Sequence, residues 1–154
     1  MDKKDKQLLM LLQENSRESL TNLAKKINLS IDSTHKRLKK LHNSGIINRY
    51  GIFINPKVLQ YDLVVDIKIK LHNVTEEKIK ELIQHLVNHP NCIELISISG
   101  DFDLTCVLIA KDTKELNAIS YGIRQQFREI IADWKTSINL EVHKFEWYDF
   151  TQLK

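Results

Sequence analysis

Hydrophobic positions change their period about a third of the way along the chain. Up to Gly45 they recur every three or four residues, as on helices that bury one stripe; from Leu63 onward, strict alternation is interleaved with helical spacing. In the first part Asp2 can cap a helix running to about Glu14, with Leu8, Leu11 and Leu12 on its apolar face and Leu9 beside them. Ser19 caps a second helix through Ile27, striped by Leu20, Leu23, Ala24 and Ile27, where the small Ala24 allows another helix to cross closely. After Asn28-Leu29, Ser30 caps a third helix from Ile31 to Ser44, and Gly45 supplies the left-handed stop. Ile46 to Ile54 then reads as a β segment before Asn55-Pro56, too apolar to be a free tether and expected to pair with another strand, of this chain or a second one.

The remainder predicts strand, helix, two strands, helix, strand. Leu63 to Leu71 alternates, placing Val65, Ile67, Ile69 and Leu71 on one face. Thr75 opens a helix with Ile79, Leu82, Ile83, Leu86 and Val87 in its stripe, ended by Pro90. Strands over Cys92–Ser99 and Phe102–Ala110 are expected to join tightly at Gly100-Asp101. Asp112 with Glu115 starts a helix bearing Leu116, Ile119, Ile123 and Phe127. A last strand from about Trp134 to Trp147 puts Thr136, Ile138, Leu140 and Val142 on one face. The order βαββαβ is that of a ferredoxin-like sandwich, helices on one face of an antiparallel sheet. Val64, Val107, Ile109, Phe145 and Trp147 have the opposite parity. Left wet, they would cost about 25 cal/mol per Å², which favours pairing of two sheets and hence a homodimer.

Charge divides the chain at nearly the same place. Eight lysines and three arginines stand against five acids in residues 1–50, a surplus of +6; the rest carries 12 basic and 15 acidic residues, or −3. Only the front is therefore expected to meet a polyanion. On the third helix Ile31, Thr34, Leu38 and Leu41 cluster on one face, with His35 and His42 at its margin; Ser33, Lys36, Arg37 and Lys40 cluster opposite. With the apolar face packed on the first two helices, the basic face points outward, and a helix of this size fits a major groove. A turn between two such helices makes a helix-turn-helix. Ser30, Asp32, Ser33, Thr34, Lys36, Arg37 and Lys40 form the DNA-facing set, and Arg49 can follow a phosphate beside it as in a winged arrangement. The competing reading of the same pattern is a three-helix bundle with a solvated lysine face.

Composition narrows the class further. With 42% hydrophobic and 28% charged residues, the chain is a globular protein. No apolar run suits a transmembrane helix and the first residues lack the core of a signal peptide, so a cytoplasmic protein without membrane contact is expected. Cys92 and Cys106 lie in apolar stretches and read as buried free thiols; His35, His42, His72, His85, His89 and His143 are scattered. No metal site, no cofactor, and no nucleophile–base pair emerges, so catalysis is not expected.

The residues Asp2, Asp5, Leu8-Leu9, Leu12-Gln13 and Arg17, then Leu23-Ala24, Leu29-Ser30, Thr34, Arg37-Leu38, Leu41 and Gly45-Ile46-Ile47, then Asn55-Pro56 and Gly100-Asp101-Phe102-Asp103, together resemble the leucine-responsive and asparagine-regulator (Lrp/AsnC, feast/famine) transcription regulators. The resemblance covers nearly the whole chain. It implies an α+β protein: a three-helix, winged helix-turn-helix domain over 1–50, a β linker or hinge over 51–61, and a ferredoxin-like effector-binding and oligomerisation domain over 62–154. It implies dimers, assembling into octamers, on pseudo-palindromic double-stranded promoter DNA. It implies, too, an amino acid or similar small effector held by Ser97, Ser99, Gly100, Asp101, Asp103, Thr136 and Ile138, near the glycine-aspartate turn and at contacts between dimers. Backbone N–H groups around Gly100 suit a carboxylate, and Asp101 or Asp103 an ammonium; equally, Gly100 permits a tight hairpin and Asp103 tethers backbone. Three positions depart from the family pattern: His35 where valine is usual, Gln60 for a glycine, and Ile138 in place of the second threonine of Thr-x-Thr. Ile138 removes a hydroxyl partner, which makes the effector more apolar or absent. An effector-independent architectural DNA binder and a regulatory amino-acid-binding subunit of an enzyme are the alternatives.

Overall fold

The computed structural model describes residues 1–152 and divides the chain into two compact units, one of Met1–Ile54 joined by the C-terminal segment from His143, the other of Asn55–Val142. No described helix is long and apolar enough to cross a membrane.

The first unit holds α1 (Lys3–Glu14), α2 (Leu20–Lys26) and α3 (Ile31–Asn43). Each starts where a capping side chain takes a free N–H of the first turn: Asp2 accepts from Lys4 and Asp5, Ser19 from Asn22, and Ser30 from Ser33. Asp2 and Asp5 complete a reciprocal capping box at the head of α1. Gly45 takes φ 74° after α3, and Ile47 N–H returns to the Leu41 carbonyl, 3.1 Å away. Open space surrounds the position of an added Cβ at Gly45, so glycine serves the backbone angle there and not a close approach. The core is Leu8, Leu9, Leu23, Ile27, Leu41 and Ile47, with Leu38 and Phe150 packed against it.

The C-terminal segment corrects one expectation. Residues beyond Ile138 do not continue the last strand to Trp147, and from His143 they belong to the helical unit instead of the sheet. Gln13 and Tyr148 exchange two hydrogen bonds, Tyr148 N–H donating to Gln13 Oε1 (2.8 Å) and Gln13 Nε2 to the Tyr148 carbonyl (3.0 Å). Phe145 meets Phe53 edge to face. The expected division at 1–50, 51–61 and 62–154 therefore differs from the observed one at both borders; residues 153 and 154 lie outside the described residues. The stretch Ile46–Ile54 forms no strand, since no described segment lies beside it as a ladder partner, and Ile52, Phe53 and Ile54 are 75%, 81% and 64% exposed.

The second unit is βαββαβ: β1 (Leu63–Leu71), α4 (Glu76–Asn88), β2 (Cys92–Ser97), β3 (Leu104–Ala110), α5 (Thr113–Gln126) and β4 (Ile131–Ile138). The antiparallel sheet runs β2-β3-β1-β4, the ferredoxin-like order. Val65, Ile67 and Ile69 of β1 and Cys106 and Leu108 of β3 are wholly buried with Leu82 and Leu86 of α4 and Ile123 of α5, because alternate side chains share the face that the helices cover. β4 ends where its partner ends: Ile138 stands opposite Val65, Asn139 N–H reaches the Val64 carbonyl at 2.8 Å, and β1 begins one residue further on. β2 and β3 are shorter than expected, and residues 98–103 make a six-residue loop in place of a tight turn. Asp103 shapes that loop, its carboxylate accepting the Leu71 N–H (2.7 Å) while its backbone bonds to Ile69 and Ile98.

On the sheet face away from the helices, Val64, Val107 and Ile109 stand among Asp66, Lys68, Lys70 and Thr105. Phe145 and Trp147, expected on that face, are not in the sheet. It is therefore more polar than parity alone indicated. Gln60, where the family resemblance implies glycine, holds φ 65° at the end of a 3-10 turn over Pro56–Leu59.

Candidate nucleic-acid interface and effector region

The outward surface of α3 follows from which side it buries. Thr34 and Leu41 are buried and Leu38 half-buried; Asp32, His35, Lys36, Lys39 and Lys40 are exposed. Thr34 is fully enclosed, its hydroxyl donating to the Ser30 carbonyl at 2.9 Å, so it cannot belong to the DNA-facing set in which the sequence placed it.

Arg37 is the second correction. It lies three residues after Thr34 and four before Leu41, so helical geometry sets it on the flank of the buried face. One guanidinium nitrogen, Nη1, donates to Asp2 Oδ2 (2.6 Å) and Asp5 Oδ1 (2.7 Å), tying α3 to the capping box of α1. The Asp5 side chain is 5% exposed and that of Arg37 31%. Hydrogen bonds from Asp5 and then Asp2 raise the Arg37 pKa, while the Asp5 backbone N–H and then Arg37 hold the Asp2 carboxyl below its ordinary value. Arg37 thus pins two helices together.

The remaining members of the set do share one surface. Lys36 pairs with Asp32 at 2.8 Å with both side chains about three-quarters exposed, an ion pair too solvated to hold the lysine against a phosphate. Ser30 and Ser33, joined through their hydroxyls at 2.8 Å, stand at the helix N-terminus, where N–H groups and the helix dipole favour an anion. Lys40 is exposed near the other end. Lys39 was missed by sequence reasoning, although it lies three residues after Lys36 and the spacing alone placed it on the same side. Arg49 is exposed in the irregular stretch that follows.

The effector set is spread across the sheet. Ser97 is on β2 at one edge and Thr136 and Ile138 are on β4 at the other, with β3 and β1 between them. Three strand spacings make about 14 Å. Gly100 takes φ 140° in the loop beside Asp101 and Ser99, all three exposed. One copy of the chain therefore keeps Ser97 apart from Thr136 and Ile138, whereas Lys135, next to Thr136, lies over the Phe102 ring of the glycine-aspartate turn, 5.0 Å from its centroid. Two grooves lie elsewhere in this unit. One, of ≈ 700 Å³, is lined by His85 and His89 of the α4 end and by Phe127; the other, of ≈ 380 Å³, lies between α5 and β4. Neither is lined by any of the seven expected effector residues. Among the described residues no group of three or more side chains is placed to hold a metal ion.

Comparison with known proteins matches residues 1–42 to the AsnC-type helix-turn-helix domain and residues 64–146 to the Lrp/AsnC ligand binding domain. The chain belongs to the Lrp/AsnC family of transcription regulators. It is 30% identical over 144 residues to the HTH-type transcriptional regulator FL11 of Pyrococcus furiosus, spanning 94% of this chain and 92% of that one. The regulator LrpA of Pyrococcus horikoshii is 35% identical over 75% of this chain and 80% of its own length. Among solved structures, an AsnC family regulator from Agrobacterium tumefaciens superposes over the whole of both chains with a TM-score of 0.87 at 23% identity. A regulator from Neisseria meningitidis, solved as a complex with L-Met, gives 0.86 at 21% identity, covering 94% of this chain and 93% of that one. Helix-turn-helix and ferredoxin-like unit are thus those of a DNA-binding regulator with a ligand-binding domain.

Proposed function

We propose that the chain regulates transcription by seating α3 in the major groove of promoter DNA, with Lys36, Lys39 and Lys40 on phosphates and Ser30, Asp32 and Ser33 at the groove-facing end. The observation that carries this is the exposed basic side of α3 set against a flank closed by Thr34, Leu38 and Leu41. Arg37 contributes by holding α3 on α1. In fluorescence anisotropy with the protein's own promoter region, Lys36→Ala and Lys40→Ala weaken binding, and each lowers the salt slope by roughly one. Unchanged affinity and slope in both variants would remove α3 from the interface.

The regulator works as an assembly of at least two copies. Support comes from the apolar Ile52-Phe53-Ile54 without a ladder partner and, within the second unit, from Leu140 and Val142, 88% and 65% exposed beyond the end of β4. Sedimentation of the full chain is expected to show a dimer or larger species, with Phe53→Asp shifting it toward monomer; a monomer at tens of micromolar contradicts assembly. Its effector is an amino acid. The ligand-binding domain supports this, as does the L-Met complex of the Neisseria regulator. A thermal-shift screen of the twenty amino acids reads it, since a ligand selective for the native state raises the melting temperature; no shift at millimolar concentration would favour an effector-independent architectural protein.

A further inference from the structure

The ≈ 380 Å³ groove between α5 and β4 has a composition that selects a ligand class. Arg124 comes from the last turns of α5 and Arg128 from the turn that follows it, four residues on; Tyr121 lies one turn earlier, and Asp133 and Trp134 come from β4. Both arginines are exposed, and among the described residues neither meets a carboxylate within ion-pair distance. Glu129, next to Arg128, is engaged by Lys78. The partial negative charge at the end of α5, about half a unit, is outweighed by two full guanidinium charges. The Trp134 indole Nε1 is shielded from solvent and, among the described residues, has no acceptor, so its ring is a half-buried reporter beside the groove. Asp133 gives the groove its one carboxylate, with Oδ1 accepting its neighbour's backbone N–H at 2.8 Å and Oδ2 3.9 Å from Lys135 Nζ.

Two guanidiniums and a phenol offer donors to anionic oxygens, and a single carboxylate offers an acceptor for a cation. We propose that this groove binds an acidic amino acid, aspartate or glutamate, its two carboxylates on Arg124 and Arg128 and its ammonium on Asp133. The assignment rests on the reading that the regulator answers to an amino acid, and names the class. Arginine suits this task because its planar fork can hold a carboxylate through two parallel hydrogen bonds.

The test is calorimetry on the full chain with L-glutamate, L-aspartate, L-glutamine and 2-oxoglutarate, joined to fluorescence of a Trp147→Phe variant. That substitution leaves Trp134 as the only tryptophan, so its emission reports the groove itself. Glutamate or aspartate is expected to bind and shift the Trp134 emission. Arg124→Gln and Arg128→Gln, both on exposed positions, are each expected to raise Kd by about tenfold or more, and glutamine to bind more weakly than glutamate by a similar factor. Undiminished glutamate affinity in both arginine variants overturns the assignment. Binding of 2-oxoglutarate as tight as that of glutamate overturns the amino-acid class in favour of a plain dicarboxylate. If neither acidic amino acid binds while a neutral one raises the melting temperature, this groove is wrong and the amino-acid reading stands; if no amino acid acts on the protein, both fall.

Discussion

The two units of this regulator solve the same problem, burying a small apolar core, with different means. The sheet unit closes its core with strands and helices alone: Val65, Ile67, Ile69, Leu82, Leu86, Cys106 and Leu108 are fully buried and no ion pair is needed among them. The helical unit has a smaller core and adds polar fasteners at its margin, the Arg37 link to Asp2 and Asp5 and the Gln13–Tyr148 pair of hydrogen bonds. The difference teaches that charge on the helical unit has two separate uses. One arginine holds helices together, and the lysines beside it, Lys36, Lys39 and Lys40, stay exposed to solvent. Basic character by itself does not separate the two, whereas burial of the partner acid does.

That contrast can be broken or sharpened by substitution. The largest effect is expected from Leu82→Ala in the sheet unit, where a wholly buried side chain leaves a cavity; urea unfolding should show a loss of about 2–5 kcal/mol. A loss below about 1 kcal/mol would mean that this core is looser than its burial indicates.

Arg37→Ala comes next. Leaving the buried Asp5 without its cationic partner is expected to cost on the order of 1 kcal/mol in the helical unit, read as an earlier urea midpoint. Any DNA-binding defect should come without the change in salt slope that marks a lost phosphate contact. A slope lowered by about one, at unchanged stability, would restore Arg37 to the interface.

The smallest effect is a pH dependence at His89. Burial, and then the neighbouring His85, lowers its pKa from 6.5, and the Asn91 N–H donates to Nδ1 at 3.2 Å, a bond that only the ring unprotonated at that nitrogen can accept. As pH falls below 6.5 the unfolded chain takes up the proton first, so stability declines until the depressed folded-state pKa is passed. His89→Gln should flatten the acid side of the stability curve in that window; an unaltered slope would assign the pH dependence elsewhere. Asp2 acts in a separate, lower window, with its contribution present above the ordinary aspartate range and lost as pH falls through the lowered value.

Much of the fold was legible because caps and periodicity are local. Asp2, Ser19, Ser30, Thr75 and Asp112 announced five helix starts, and all five side chains cap them. The alternation of β1 named the residues that the helices cover. Less was legible at the sites. Thr34 was put in the DNA-facing set against its own position on the apolar face, and Arg37 was misplaced because a helical wheel shows which residues neighbour one another, not which flank a second helix will close. The effector set stayed divided because Ser97 and the pair Thr136 and Ile138 come from opposite edges of the sheet. The groove with Arg124, Arg128 and Trp134 carried no motif, since its parts are a helix end and a strand start joined only by packing.

What the sequence by itself determined was the element order, the two-part organisation with its basic front, and the family. All of these rest on short-range spacing, composition and motif. Only the tertiary structure decided where the C-terminal segment goes, which basic residues are free, and which side chains meet in a groove. Those outcomes depend on residues far apart in the chain, Gln13 bonded to Tyr148, Asp5 to Arg37, and Tyr121, Arg124 and Trp134 lining one groove, and on where a strand runs out of partner, as β4 does opposite the start of β1.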